Sequence, residues 1–312
     1  MRLLIALGGN AMTAADGSAR PADQRAAITA AMEAVADLVV AGHRVVLTHG
    51  NGPQVGNLLL KNELAAEVVP PVPLDWCGAQ TQATIGMLAM DALDRLLPER
   101  GSSTRSATLV SRTLVDRDDP AFATPTKPIG RYVTRAEAEL MMDHGQHWVE
   151  IKDRGWRRVV ASPEPRECLD VAGVTALLDA GYVVVCSGGG GIPTVSDEQE
   201  GYIGVEAVID KDLTAALLAM QLDVDTLVIA TDVDSAVIGW GTPQARPLGR
   251  VTPVELRRLA TEGHFAAGSM APKVEAVTRF AERTGRPGVI TSLARIEAAV
   301  AGDAGTRVLV DV

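Results

Sequence analysis

Tyr182-Val183-Val184-Val185-Cys186-Ser187-Gly188-Gly189-Gly190-Gly191 decides how this chain is read. An apolar run without polar alternation is the pattern of a strand buried on both faces of a parallel sheet. Four glycines then let the backbone turn with φ > 0 and bring bare N–H groups close to an anion. Downstream, Val208-Ile209-Asp210-Lys211-Asp212 sets a lysine between two aspartates at the start of an apolar-periodic stretch, 213–222. Strand, glycine turn and cation, in that order, predict a site for phosphoryl transfer.

The same grammar recurs toward the N-terminus. Residues 3–7 form a continuous apolar run that ends at Gly8-Gly9-Asn10. The run is too short for a signal sequence and no cleavage-like segment follows it, so it reads as a strand. Residues 21–40 read as a helix, with Pro21 in its first turn and Gly42 beyond its end. Residues 43–48 are a second strand, closed by His49-Gly50-Asn51-Gly52-Pro53. Strands alternating with helices predict an α/β fold with a parallel sheet, whose ligands bind beyond the carboxyl ends of the strands. Three glycine turns at such ends converge in space.

Farther along, 75–97 reads as a long helix and 107–115 as one strand. Residues 116–165 break the pattern. They carry five prolines, many charges, Trp148 and Trp156, and no long apolar period. This stretch is expected to be a lid or small subdomain inserted in the sheet domain. Regular grammar resumes with a helix from 171, a helix from about 212 and a strand at 226–230 that ends at Thr231-Asp232-Val233-Asp234. Helices at 253–262 and 272–284, a strand at 288–291 and a last strand at 308–310 complete the order.

Composition narrows the class. The 312 residues are 47% hydrophobic and 22% charged, with 39 acidic and 29 basic side chains and a net charge of −10. That balance argues against a nucleic-acid partner, which needs basic clusters. No uncharged apolar run is long enough to span a bilayer. Cys77, Cys168 and Cys186 form no CxxC pair and read as buried thiols of a cytoplasmic protein. His144 and His147 read as a surface pair, since no third ligand lies close in sequence.

Familiar phosphate motifs are missing. No glycine is followed by lysine, which excludes the P-loop signature, and Gly50-Asn51-Gly52-Pro53-Gln54-Val55-Gly56 has one residue too many for a dinucleotide loop. A dinucleotide oxidoreductase is therefore disfavoured. The chain is poor in lysine, so Lys127, Lys211 and Lys273 stand out. Lys211 and Lys273 sit at helix starts, where the macrodipole disfavours a cation unless it faces an anion. Three lysines from separate segments can hold the oxygens of a transferring phosphoryl group. Asp210 or Asp212 would orient them, and Asp232 and Asp234 could touch ribose or a metal-bound water.

Together these segments resemble the carbamate kinases, a branch of the amino-acid-kinase family. The resemblance runs through Ala6-Leu7-Gly8-Gly9-Asn10-Ala11, Thr48-His49-Gly50-Asn51-Gly52-Pro53, Thr126-Lys127-Pro128-Ile129-Gly130, Arg157-Arg158-Val159-Val160, Ser187 to Gly191, Gly204-Val205-Glu206-Ala207-Val208-Ile209-Asp210-Lys211-Asp212 and Gly268-Ser269-Met270 with Pro272-Lys273. It implies a three-layer αβα sandwich with a mainly parallel central sheet and a small protruding subdomain, in a homodimer. It also implies reversible phosphoryl transfer between carbamoyl phosphate with Mg-ADP and carbamate with Mg-ATP, in the ATP-forming catabolic direction. By the same route Gly8, Gly9, Asn10, Gly50, Asn51 and Gly52 would bind substrate. Lys127, Asp210, Lys211 and Lys273 would be catalytic, with Asp210 organising the lysines. Ser187, Gly188, Gly189, Asp232, Met270 and Lys273 would line the nucleotide, and Mg2+ would be held through its phosphates. The family usually carries Pro where Arg131 stands, and Pro and Gly where Ala267 and Ala271 stand. The alternatives are a kinase of another small carboxylic acid, which would need an arginine for a second carboxylate, and a non-catalytic nucleotide-binding regulator.

Overall fold

The structure, a computed structural model, describes residues 1–13 and 20–310, except for the side chains of Asn10 and Ala11. Eight strands form the main sheet in the order Arg250–Val251, Thr306–Val308, Gly288–Ser292, Thr226–Thr231, Arg2–Leu7, Arg44–His49, Val183–Val185, Ser106–Thr108. Every pairing in it is parallel except Gly288–Ser292 with Thr306–Val308. The central strands are buried on both sides, and their alternation splits the core in two. Leu4, Ala6, Val184, Cys186, Leu227 and Ile229 face the helices Val171–Asp179, Lys211–Gln221, Pro253–Thr261 and Met270–Thr284. Leu3, Ile5, Leu7, Val183, Val185 and Val228 face Pro21–Val40, Leu74–Glu99 and Ile296–Ala301. Each buried Leu, Ile or Val contributes about 1.5–3 kcal/mol. The three-layer αβα sandwich follows directly.

Two departures from the sequence reading matter for the site. The strand expected over 107–115 is two strands in two sheets. Ser106–Thr108 edges the main sheet, while Arg112–Val115 joins a second sheet with Ile192–Asp197, Gly201–Gly204 and Pro165–Cys168. The chain breaks between them because Ser111 is tied elsewhere. Its N–H donates to Gln82 Oε1 at 2.8 Å and its hydroxyl accepts from Ser187 N at 2.6 Å. The second departure lies in the proline-rich stretch, which contains regular strands. Lys127–Val133, His147–Ile151 and Gly155–Val160 form a separate antiparallel sheet of three strands. It has a small core of its own, Val133, Ala138 and Trp148, under the helix Arg135–Met142. That helix opens on a capping box between Thr134 and Glu137. His144 and His147, on and beside this sheet, are both exposed.

The three cysteines are buried, and burial pushes Cys168 up to about 12 and Cys186 higher still, so they are inert thiols. No helix among the described residues is long and apolar enough to cross a membrane.

Candidate active site

The carboxyl ends of four central strands lie level. Leu7 pairs with His49 on one side and Ala230 on the other, and Leu47 pairs with Val185. The three glycine turns therefore meet. A Cβ on Gly50 would approach the Gly9 backbone N at 3.1 Å and Lys211 Cδ at 3.5 Å. A Cβ on Gly189, where φ is +68°, would lie 2.2 Å from Asn51 Nδ2. Only glycine fits there, on grounds of both conformation and space. The side chain of Asn10 lies outside the described residues.

Buried polar contacts hold the glycine run. Ser187 takes a left-handed conformation, φ +51°, which is strained for a residue with a Cβ. Thr48 Oγ1 donates to its carbonyl at 2.8 Å. Gln82, buried in the helix Leu74–Glu99, donates to the Gly188 carbonyl at 3.0 Å and to the Ser111 carbonyl at 3.1 Å. Thr113 and Thr214 both donate to the Gly190 carbonyl, at 2.9 and 3.0 Å. Sequence reasoning did not single out Gln82, Ser111, Thr113 or Thr214. The one signal for them was a polar amide, Gln82, on the apolar face of its helix.

The lysines are arranged around two carboxylates. Asp210 caps the helix Lys211–Gln221, its Oδ1 accepting from Asp212 N at 2.9 Å, and its Oδ2 pairs with Lys127 Nζ at 3.2 Å. Asp212 points inward. Its two oxygens take Lys211 Nζ at 2.5 Å and Lys273 Nζ at 2.9 Å. The resemblance gave the organising of the lysines to Asp210, and the residues alone left it to Asp210 or Asp212. Asp210 holds Lys127, and Asp212 holds Lys211 and Lys273. Capping explains the division, because a residue at the cap spends one oxygen on backbone N–H groups while the residue two positions on is free to turn into the core.

Burial pulls the Lys211 ammonium below the ordinary lysine range, against the upward pull of Asp212 and with the help of Lys273. Burial alone would raise Asp212. The charges of Lys211 and Lys273 and their hydrogen bonds outweigh it and hold the carboxyl below its usual range. His49 lies in the same layer, its ring pressed on Gly188 and its Nδ1 3.0 Å from the Gly50 carbonyl. Burial lowers it to about 4, the Gly50 hydrogen bond opposing and Lys211 adding to the effect. A neutral imidazole adds no charge to the cluster at neutral pH.

Three cavities surround the cluster. One of about 480 Å³ is lined by Asn51, Gly52, Lys127, Arg157 and Gly189. A second of about 410 Å³ is lined by Gly8, Gly9, Asp232, Ser269 and Lys273. A third of about 210 Å³ joins the second at Asp232 and Lys273 and continues along Val237, Trp240, His264 and Met270. Gly189 belongs with Asn51 and Gly52, whereas Gly8 and Gly9 share a cavity with Asp232. Ser187 and Gly188 are buried.

Comparison with known proteins gives this arrangement its context. The profile of the amino acid kinase family matches residues 1–292. The carbamate kinase of Trichomonas vaginalis is 41% identical over 312 residues, covering 99% of each chain. That of Thermococcus kodakarensis is 42% identical, again over 99% of each. The structure of carbamate kinase from Giardia lamblia bound to AMP-PNP superimposes with a TM-score of 0.94 at 42% identity, covering 99% of this chain and 98% of that one. From its level strand ends to its lysine-bearing helix starts, this chain belongs to the amino acid kinase family, in the branch of the carbamate kinases.

Proposed function

We propose that this chain is a carbamate kinase, transferring a phosphoryl group reversibly between carbamoyl phosphate with Mg-ADP and carbamate with Mg-ATP, in the ATP-forming catabolic direction. The observation that carries the reading is Asp212 holding Lys211 and Lys273 together where three glycine turns converge. Two ammonium groups on one carboxylate leave a net positive charge at the sheet edge. Carbamate is already an anionic nucleophile, so the reaction asks for no general base. What it asks for is alignment of donor and acceptor and cations on the transferring oxygens. In this reading Lys211 and Lys273 stabilise the phosphoryl group in flight. Asn51, Gly52 and the backbone of Gly189 seat the carbamoyl end. Lys127 closes over it from the three-stranded sheet, residues 116–165 acting as a lid, and gives up Asp210 as it does so. Gly8 and Gly9 carry the phosphates from the other side. Asp232 and Met270 line the slot for nucleoside.

Mg2+ fits this donor set as an ion carried on the nucleotide phosphates. Among the described residues no three His, Cys, Asp or Glu side chains gather to cage a metal, and Asp212 is committed to lysines. Asp232, on the wall of the cavities beside Lys273, would meet the ion's water. When bound, the ion neutralises charge on the phosphates.

Two further assignments belong to the same proposal. The protein acts in the cytoplasm as a homodimer. Trp76 and Met87, large apolar side chains exposed on the helix Leu74–Glu99, support a second copy as their cover.

The test is ATP formation from fresh carbamoyl phosphate and Mg-ADP, with acetyl phosphate run in parallel. ATP from carbamoyl phosphate is the expected result. Nucleotide binding with no ATP from carbamoyl phosphate would overturn the proposal in favour of another acyl phosphate or a regulator.

A further inference from the structure

The cavity of about 480 Å³ holds one cation that neither the catalytic cluster nor the sequence reading assigns. Three basic side chains of the three-stranded sheet line it: Lys127, Arg131 and Arg157. Two of them are neutralised. Lys127 is on Asp210 at 3.2 Å, and Arg131 is on Glu63 at 3.5 Å and Glu137 at 3.4 Å. Arg157 has no carboxylate within ion-pair distance among the described residues. Its guanidinium is nonetheless fixed. Nε donates to the Gly130 carbonyl at 3.2 Å, and the group lies 5.2 Å from the centre of the Tyr132 ring. The guanidinium also hydrogen-bonds the Tyr132 hydroxyl. Its other terminal N–H groups remain, on a planar fork that suits binding of carboxylate or phosphate.

A half-buried, oriented and unneutralised guanidinium on the wall of a cavity that also holds Asn51, Gly52 and Lys127 is preorganised for an anion. Resting on the function proposed above, we infer that Arg157 is a second anion anchor of this site, binding the anionic oxygens of the acyl-phosphate substrate from the lid side while Lys211 and Lys273 act on the phosphoryl group from the sheet. Its bond to the Gly130 carbonyl couples that anchoring to the strand that bears Lys127. Arg157 is thus a substrate-binding residue, and its removal raises KM more than it lowers kcat.

The experiment compares wild type with Arg157→Gln, Arg157→Lys and Arg157→Ala in ATP formation, each substrate varied in turn, with thermal melting alongside. Arg157→Gln should raise KM for carbamoyl phosphate about 10-fold or more. KM for Mg-ADP and the melting temperature should stay as in wild type. Arg157→Lys, which keeps the charge and loses the fork, should fall between. Free guanidinium at millimolar concentration should restore part of the loss in Arg157→Ala. An unchanged KM for carbamoyl phosphate overturns the inference. So does a loss spread over both substrates with lowered melting and no guanidinium rescue, which marks a prop for the lid strands. Calorimetric binding of phosphonoacetamide, a stand-in for carbamoyl phosphate that cannot transfer its phosphoryl group, separates this inference from the proposed reaction. Weaker binding to Arg157→Gln than to wild type upholds the anchor even if wild type makes no ATP, and equal binding rejects it even if wild type is active.

Discussion

The edge of the eight-stranded sheet and the three-stranded sheet that faces it both carry cations for the same site, in opposite settings. At the edge, Lys211 and Lys273 share a buried carboxylate, and Ser187 and the glycine run that follows it are tied by Gln82, Thr48, Thr113 and Thr214. On the small sheet, Lys127 is more than one-third exposed and leans on Asp210, while Arg131 and Arg157 line the cavity. One region is fixed by burial, the other by a few surface contacts. On the proposed function, stabilisation of the transferring group falls to the edge, where geometry costs nothing to reorganise, and capture of substrate to the small sheet, where contacts can open and re-form.

The largest expected effect comes from breaking the buried centre. Asp212→Asn leaves two buried ammonium groups without a counter-charge and should cost roughly 3–5 kcal/mol of stability, read as the shift in a denaturant midpoint. The fraction that folds should lose turnover at lower pH on the alkaline side than wild type does. Wild-type turnover itself should decline below the ordinary lysine value of 10.5, since burial already holds Lys211 down.

Acid should act on the same region. His49 is neutral in the fold and has a value of about 4 there, against 6.5 when unfolded. The unfolded chain therefore takes up the proton first, and stability should fall as pH drops from 6.5 to 4, by roughly 3 kcal/mol over the whole interval. Melting curves across that range check it, and His49→Asn should remove this part of the slope.

Next comes Gly189→Ala, which adds a Cβ 2.2 Å from Asn51 at a φ of +68°. The strain should cost about 1–3 kcal/mol and displace Asn51, so carbamoyl phosphate should bind more weakly while Mg-ADP binding is retained. The smallest effect on stability belongs to the small sheet. Lys127→Ala removes a partly exposed pair and should change unfolding free energy by about 0–1 kcal/mol, although it weakens carbamoyl phosphate binding. A large loss of stability in that variant would erase the distinction between the two regions.

The same contrast governs what could be read from sequence. The central strands are legible because burial on both faces leaves continuous apolar runs. Helix starts at Pro21, Pro253 and Lys211 are marked by proline and by capping residues. The strand Lys127–Val133 is not legible. Only Ile129 and Val133 of its seven residues are buried, and Gly130, with φ +67°, sits where the register shifts between Ile129 and Tyr132. A bulge of that kind breaks the two-residue period on which strand reading depends. Within the site, residue types were enough to collect Lys127, Lys211, Lys273, Asn51 and the glycines. They could not tell Asp210 from Asp212. That choice turns on which carboxylate caps the helix and on a partner, Lys273, that lies 61 positions away in sequence. Arg157 was hidden for a similar reason, since its place on the cavity wall depends on strand pairing with Tyr132.

The most direct measurement is kcat for ATP formation from carbamoyl phosphate and Mg-ADP in Lys211→Ala, with Lys127→Ala beside it. Lys211→Ala leaves Asp212 paired with Lys273, so it should remain folded while kcat falls at least ~100-fold, about 2.7 kcal/mol of barrier. Lys127→Ala should lose mainly in KM for carbamoyl phosphate. Near-full turnover by Lys211→Ala would contradict the assignment of phosphoryl stabilisation to the sheet edge.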